Sequence, residues 1–580
     1  MTTIERVKSE IIRLLEDMVG REIELLRDQL TAPPSPTLGD FAFPCFPLAK
    51  VMGKSPREVA DDISGILRHK LEDHPNRFIA DVRNVGPYVN FFVQADVLAK
   101  ELLREIESTS KRFGTAVAKR KQSIMVEYGQ PNTHKEFHIG HLRNVLVGQV
   151  ISNLIKAAGH RVIQVSYIND KGAAVAKCLW AMERFHRGQR PPAGNHSAYL
   201  GKIYAEAAQK LEKNPEGEAE VRSIARKIAA GDRKWVALWK KTREWSLADF
   251  RSVFNELGAR FDVTYYESEI EKKGQRIVND LVRRGIAKIK DGAVMVDLTS
   301  EKLDEFVLRR KDGTSLYSTT DLALAERKAK DYRLDESLIV VDVRQSFYFK
   351  QLFRTLELAG YKQPLRHLAY EFVTLPEGSM SSRKGNIVSY QDFRDEVIGR
   401  AREETVSRHR DWPARKLDAT ARALAMAAIR YEMLHYDLDR PIVFDISRAV
   451  SFEGATGPYL QYTLARVNGI MKKGKKKGRK GEEKGKKGGR AWETGEEKRL
   501  LLALARYPEV VASAAGDLRP SHLAQFLFEL AKTFSEFYES APVLSAPPAV
   551  RVSRLRLVRA MGVVMGNGLA LLGIPAVREM

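Results

Sequence analysis

Apolar residues recur along this chain with two different periods, and the changes between them divide it into three parts. Residues 1–18 set Ile4, Val7, Ile11, Leu14 and Leu15 at helical spacing against Glu5, Lys8, Glu10, Arg13 and Glu16, which predicts an amphipathic helix on a soluble domain. A Pro-rich turn, Pro33-Pro34-Ser35-Pro36, and a strand-like run, Tyr88 to Val93, complete a first unit of α/β type over residues 1–115. From residue 116 to 412 short apolar runs alternate with helical patterns. The expected strands are Ile124–Tyr128, Val162–Tyr167, Val294–Leu298 and Leu338–Val343, an order that predicts a Rossmann-like parallel sheet. A charged helical insertion at about 179–256 interrupts it. This insertion carries four of the six tryptophans, Trp180, Trp235, Trp239 and Trp245, expected as core because Trp235 and Trp239 share one helix face. Residues 413–580 are helical throughout, with Ala421–Tyr436 followed by helices near 450–471, 495–514, 519–540 and 551–572, which predicts a bundle. The fold class is therefore α/β plus all-α.

Composition adds a partner to this picture. The 580 residues carry a net charge of +22, which favours a polyanion. Residues 472–490 hold eleven Lys or Arg and two Glu, with glycines between them, and cannot bury apolar surface; a disordered basic loop is expected there. The first residues carry no signal pattern. The most apolar stretch, Met561–Val577, is broken by four glycines, Asn567 and Pro575, so no membrane span is expected. Two cysteines, Cys45 and Cys178, exclude a disulfide framework and fit a reducing, cytoplasmic setting.

The most informative residues are His138-Ile139-Gly140-His141, placed between the strand at 124–128 and a helix marked by Leu142, Val145, Leu146, Val150 and Leu154. Two histidines then share the first turn of a helix that follows a strand. Helix N-termini bind phosphate through free N–H groups and the positive end of the dipole, and Gly140 leaves room for a flat group. A metal pair is the alternative, but a metal needs further ligands, and no short His/Cys cluster supplies them. A nucleoside triphosphate is the expected ligand, and no structural metal is.

This segment resembles the HIGH signature of class I aminoacyl-tRNA synthetases. Phe452-Glu453-Gly454-Ala455-Thr456-Gly457-Pro458-Tyr459-Leu460-Gln461-Tyr462 is similar to a stretch of the arginyl enzymes, as are residues 308–321, Leu38-Gly39-Asp40-Phe41-Ala42 and the end from Leu569 to Met580. The resemblance runs in order along nearly the whole chain. It implies that 1–115 touches the tRNA elbow, that 116–412 is catalytic, and that 413–580 binds the anticodon. It implies ligation of L-arginine to tRNA(Arg) with ATP, which arrives as its Mg2+ complex; a monomer is expected, and a pocket built on two buried carboxylates should reject neutral analogues strongly enough to need no editing domain.

Site residues follow from the same resemblance. His138, Gly140 and His141 are expected to bind ATP. So are Met380, Ser381, Arg383 and Lys384, in a stretch similar to the KMSKS loop in which Ser379 and Ser382 replace both lysines. Lys135, three residues before His138, is expected to supply the missing cation. With His138, His141 and Lys384 it makes up the catalytic set. Glu127 and Asp321, with Tyr317, are expected to hold the guanidinium; Asn132 and Gln345 the α-amino end. Two further departures are Ala174, where glutamine is usual, and Tyr348, where histidine is common. Asn90 and Phe92 are expected to meet an unstacked base, unless the strand turns them inward. Tyr459 and Tyr538 are the tRNA contacts expected in the bundle.

Overall fold

The computed structural model describes residues 1–19, 29–189, 191–192, 194–376, 388–478, 492, 494–577 and 579–580. The N-terminal unit comprises α1 (Thr3–Val19), β1 (Phe41–Pro44), α2 (Phe46–Met52), α3 (Pro56–Asp73), β2 (Ile79–Val85), β3 (Tyr88–Val93) and α4 (Ala95–Thr109). Helix α1 buries the five apolar positions marked by its period. Strand β3 lies between β1 and β2, antiparallel to both. One face of β3 packs into the core through Val89, Phe91 and Val93. Phe91 is buried, and so is Asn90, against the Gly39 turn. The side chain of Asn90, expected to meet a base, is enclosed in the free protein. Phe92 stays half-open beneath Arg83 and Lys498, 4.6 Å and 5.9 Å from its ring centre.

The central unit runs β4 (Ser123–Glu127), α5 (Ile139–Ala157), β5 (Arg161–Ile168), α6 (Ala173–Phe185), α7 (His196–Leu211), α8 (Pro215–Ala230), α9 (Arg233–Glu256), β6 (Val263–Tyr266), α10 (Glu267–Arg283), β7 (Lys288–Lys290), β8 (Ala293–Asp297), β9 (Glu305–Arg309), α11 (Tyr317–Asp331), β10 (Glu336–Asp342), α12 (Ser346–Leu358), β11 (Leu365–Tyr370) and β12 (Val373–Thr374). Five strands form a wholly parallel sheet in the order β11-β10-β4-β5-β6. The chain moves outward from β4 through β5 to β6, then returns to β10 on the other side. Beyond the carboxyl ends of β4 and β10 it thus leaves a crevice at the point where the strand order reverses.

One expected strand belongs elsewhere. Val294–Leu298 is β8, in a separate antiparallel sheet with β7 and β9. The turn Asp291-Gly292, both at positive φ (51° and 80°), is too short for the crossover that parallel pairing needs. Strands β6 and β11, which the apolar pattern had not marked, fill the sheet edges instead. Helices α6 to α9 pack around Trp180 and Trp235, and Trp239 donates its ring N–H to the Asp170 carbonyl at 2.7 Å. The tryptophans serve the core, as expected.

The C-terminal unit contains α13 (Tyr390–Arg408), α14 (Ala414–Leu434), β13 (Ile442–Val443), α15 (Ile446–Ala449), α16 (Gly457–Gly478), α17 (Gly495–Gly516), α18 (Pro520–Ser540) and α19 (Pro548–Leu571). The basic run is not loop from its start. Helix α16 carries it to Gly478, because Gly474 still packs on Leu555 of α19 and Lys472 pairs with Glu579 at 3.0 Å. Residues 479–490 lie outside the described residues. Buried Arg430 of α14 ties the units together, donating to Gln149 of α5 at 2.9 Å and to the Leu257 and Leu572 carbonyls. Asp40, paired with Lys498 at 2.6 Å, joins the N-terminal unit to the bundle. Among the described residues no helix is long and apolar enough to cross a membrane.

Candidate active site

The crevice is built by the loop between β4 and α5. Its backbone is fixed from several sides. Gly129 donates to Asn144 of α5 at 2.6 Å, and its carbonyl accepts from Ser166 of β5 at 2.6 Å. Thr133 donates to the Asn169 carbonyl at 3.0 Å. His134 adopts φ +62° and is fully buried, its ring nitrogens bonded to Thr133 and, at 2.7 Å, to Thr242 of α9. Burial lowers its pKa to about 3, so it is a neutral anchor between the loop and the insertion.

His138 is the N-cap of α5. Its Nδ1 accepts from Gly140 N at 3.1 Å, and Nδ1 of His141 accepts from His138 N at 3.3 Å. The two rings stack at 3.7 Å. A ring whose Nδ1 accepts must, when neutral, carry its proton on Nε2. Burial, with Lys135 and Arg344 nearby, lowers the His138 pKa to about 4; burial and His138 push His141 well below its usual value. At neutral pH the pair therefore presents two Nε2–H donors beside the free amides of a helix N-terminus. A Cβ on residue 140 would stand 2.9 Å from the His138 ring, so Gly140 directly frees that ring rather than the ligand alone.

The arginine candidates Glu127, Asn132, Tyr317, Asp321 and Gln345 line one cavity of about 660 Å³ together with His138, Gly140 and His141. Tyr317 opens α11, which places Asp321 one turn on, facing inward. Tyr348 donates to Asp321 Oδ2 at 2.5 Å. Burial raises the Asp321 pKa to about 7; the Tyr348 bond and Lys328 oppose this, and Glu127 adds to it. The residue that departs from the common histidine thus touches the acid it helps to place.

Glu127 lines the cavity and is also engaged within the protein: Lys328 of α11 donates to its Oε2, and Gln130 donates to its Oε1 at 3.2 Å. Lys135 lies off the cavity lining, its ammonium 5.2 Å from the Tyr204 ring centre. The pattern of the sequence missed three charged groups. Lys328 stands seven residues after Asp321, two turns along the same face, a spacing that could have marked it. Arg344 follows β10 into the cavity, forked onto Asp342 at 2.7 and 3.0 Å. Glu267 opens α10 with a buried Oε2 that has no hydrogen-bond partner among the described residues; burial, Asp170 and Asp321 raise its pKa to about 7. The last had no signal beyond its place at a strand end.

Met380, Ser381, Arg383 and Lys384 lie outside the described residues. The chain after them returns to the site: His138 bridges Ser389, and Tyr390 N donates to the Phe137 carbonyl at 2.9 Å. In the bundle, Tyr459 is half-buried with its ring on Phe528, and Tyr538 lies 4.2 Å under Arg466 in a groove shared with Tyr462, Lys472 and Met580. Among the described residues no group of three His, Cys, Asp or Glu is placed to hold a metal ion.

The chain matches known families over three segments. Residues 5–93 match the arginyl tRNA synthetase N terminal domain, 103–445 the class I (R) tRNA synthetase catalytic domain, and 460–580 the DALR anticodon binding domain. It is 34% identical to an arginine–tRNA ligase of Bdellovibrio bacteriovorus, covering 99% of this chain and 100% of that one. The Clostridium beijerinckii arginine–tRNA ligase is 32% identical, with 99% and 100% covered. The structure of Thermus thermophilus arginyl-tRNA synthetase superposes with a TM-score of 0.78 at 28% identity, over 99% of this chain and 100% of that one. Catalytic, anticodon-binding and N-terminal segments all match in order, and the chain belongs to the arginyl-tRNA synthetase (arginine–tRNA ligase) family of class I.

Proposed function

We propose that this protein ligates L-arginine to tRNA(Arg) with ATP through an arginyl-adenylate. The arginine carboxylate attacks the α-phosphorus and diphosphate leaves; a terminal ribose hydroxyl of the tRNA then attacks the carbonyl carbon and AMP leaves. The observation that carries this reading is one continuous cavity. It is lined both by two neutral Nε2–H imidazoles and by a buried carboxylate, Asp321. In this reading arginine lies with its carboxylate toward the helix N-terminus and its guanidinium toward Asp321 and Tyr317. Asn132 and Gln345 flank the α-amino end.

The chemistry needs little beyond position and charge. His138 and His141 donate to phosphate oxygens as negative charge shifts onto the leaving diphosphate, which is worth most in a site already desolvated. Mg2+ enters with ATP as part of the substrate. Lys135, Arg344, Arg383 and Lys384 are the cations for the β- and γ-phosphates. For tRNA, the bundle groove of Arg466 and Tyr538 serves the anticodon and Phe92 the elbow. The test is ATP–diphosphate exchange with a panel of amino acids, with and without tRNA. Arginine alone should support exchange. Exchange with another amino acid would replace the specificity, and none at all would leave a tRNA-binding protein without activation.

A further inference from the structure

The helical insertion grips the stretch that leads into the two histidines. At its start, His134 N donates to Ser246 Oγ of α9 at 3.0 Å, and the His134 ring bonds Thr242. Two residues on, α7 packs against the backbone: a Cβ on Gly201 would stand 3.4 Å from Glu136 N. Tyr204 follows Gly201 by three residues on the same helix face, and its ring centre lies 5.2 Å from the Lys135 ammonium. The ring is seated in turn on the apolar core of α6 to α9.

Lys135 is half-buried, and among the described residues no carboxylate pairs with it. Its charge reaches the site: burial lowers the pKa of both His138 and His141, and Lys135 adds to the lowering at each. A ring face suits such a cation. It attracts the ammonium through its quadrupole but carries no net charge, so the positive charge stays available to phosphate. A carboxylate in its place would cancel that charge. An unheld lysine would spread over many rotamers, and its ordering would fall on the activation barrier.

We propose that Tyr204 is a positioning residue for activation: its ring holds the Lys135 ammonium within reach of the two histidines, where it meets the β- and γ-phosphates of ATP. The inference rests on reading Lys135 as a cation of the ATP site. It gives the insertion a part in the chemistry beyond packing its own core.

The experiment is a double-mutant cycle on ATP–diphosphate exchange by the full chain, with arginine and tRNA present and thermal unfolding alongside. Tyr204→Leu keeps apolar bulk and removes the ring face. It should lower kcat about tenfold, the order of a cation–π contact in a partly desolvated site, with the KM values for ATP and arginine within about twofold. Tyr204→Phe keeps the ring and should restore at least about half the rate. In a Lys135→Ala background, Tyr204→Leu should cost nothing further, because the ring then has no cation to hold.

An equal loss from Tyr204→Leu with and without Lys135 would overturn the proposal, since the residue would then act by packing alone. So would Tyr204→Phe as slow as Tyr204→Leu, or Tyr204→Leu at the wild-type rate. If Tyr204→Leu does not fold, replacing Tyr204 by phenylalanines of rising fluorination decides, because shape is kept while the negative face of the ring is withdrawn. The rate should fall stepwise with Lys135 present and stay flat in the Lys135→Ala background; a flat series with Lys135, or the same fall without it, refutes the proposal. Lys135→Ala separates the two levels. If it exchanges at the wild-type rate, the reading of Lys135 fails and the role of Tyr204 with it. If it is slow while the Tyr204→Leu loss persists in its background, only the role of Tyr204 fails.

Discussion

Asp321→Asn keeps the shape of the side chain and removes the carboxylate that no cation bonds among the described residues. Loss of one partner of a desolvated, hydrogen-bonded charge pair costs about 2–5 kcal/mol. At 1.36 kcal/mol per decade this is roughly 30-fold to several thousandfold in arginine KM. The structure adds a pH signature. Burial raises the Asp321 pKa to about 7, so about half the free sites are ionised at pH 7. The guanidinium binds the ionised form, so the apparent KM scales inversely with the ionised fraction. The wild-type KM should be about tenfold higher at pH 6 than at pH 8, levelling above that. The stability sign follows from the same shift. A carboxyl raised in the folded state favours folding below its ordinary value near 3.8 and loses that contribution as pH rises to about 7. Without arginine, the asparagine variant should therefore lose less stability between pH 4 and 7 than the wild type. The assay is arginine KM from ATP–diphosphate exchange with tRNA present, at pH 6, 7 and 8, with thermal unfolding of both proteins alongside. An asparagine variant that keeps the wild-type pH slope, or the wild-type KM, refutes the reasoning.

His138→Ala and His141→Ala should each lower the exchange rate on the order of 10²–10³ without changing tRNA affinity, because each removes one preorganised donor; an unchanged rate removes that histidine from the mechanism. Lys135→Ala should slow tRNA-supported activation more than Lys384→Ala does, with ATP ground-state affinity moving less than the rate; equal small effects would show that neither replaces the missing loop lysines. Deleting residues 479–490, which hold six Lys or Arg and two Glu, should leave arginine activation intact but weaken tRNA binding at low salt and flatten its dependence on salt; identical slopes would make this run a mere insertion.

Local pattern was enough for much of this molecule. The periods of the apolar residues marked α1, β4, α5, β10 and the bundle helices, because each buries one stripe or one short run and the core accepts little else. The histidine segment could be read as a phosphate site because a strand, a turn and a helix start are local events. Tyr317 and Asp321 could be put on one helix face for the same reason. Pairing partners were another matter. An apolar run such as Val294–Leu298 looks the same in a parallel and an antiparallel sheet; the Asp291-Gly292 turn decides. The basic run likewise stays helical as far as Gly478 only because α19 covers Gly474.

Residue identities by themselves therefore marked three units, the helix start proposed to meet phosphate and the carboxylate proposed to meet arginine. Tertiary structure decided which of these groups are free to act. Asn90, two residues before Phe92, is enclosed because the Gly39 turn packs on it, whereas Phe92 on the same strand stays half-open. Glu127 is engaged by Lys328, a residue 201 positions away in sequence. The imidazoles are neutral donors because burial removes the water that would hold their second proton. Exposure, ion pairing and protonation depend on what stands across the cavity, and that is set by packing between segments far apart in the chain.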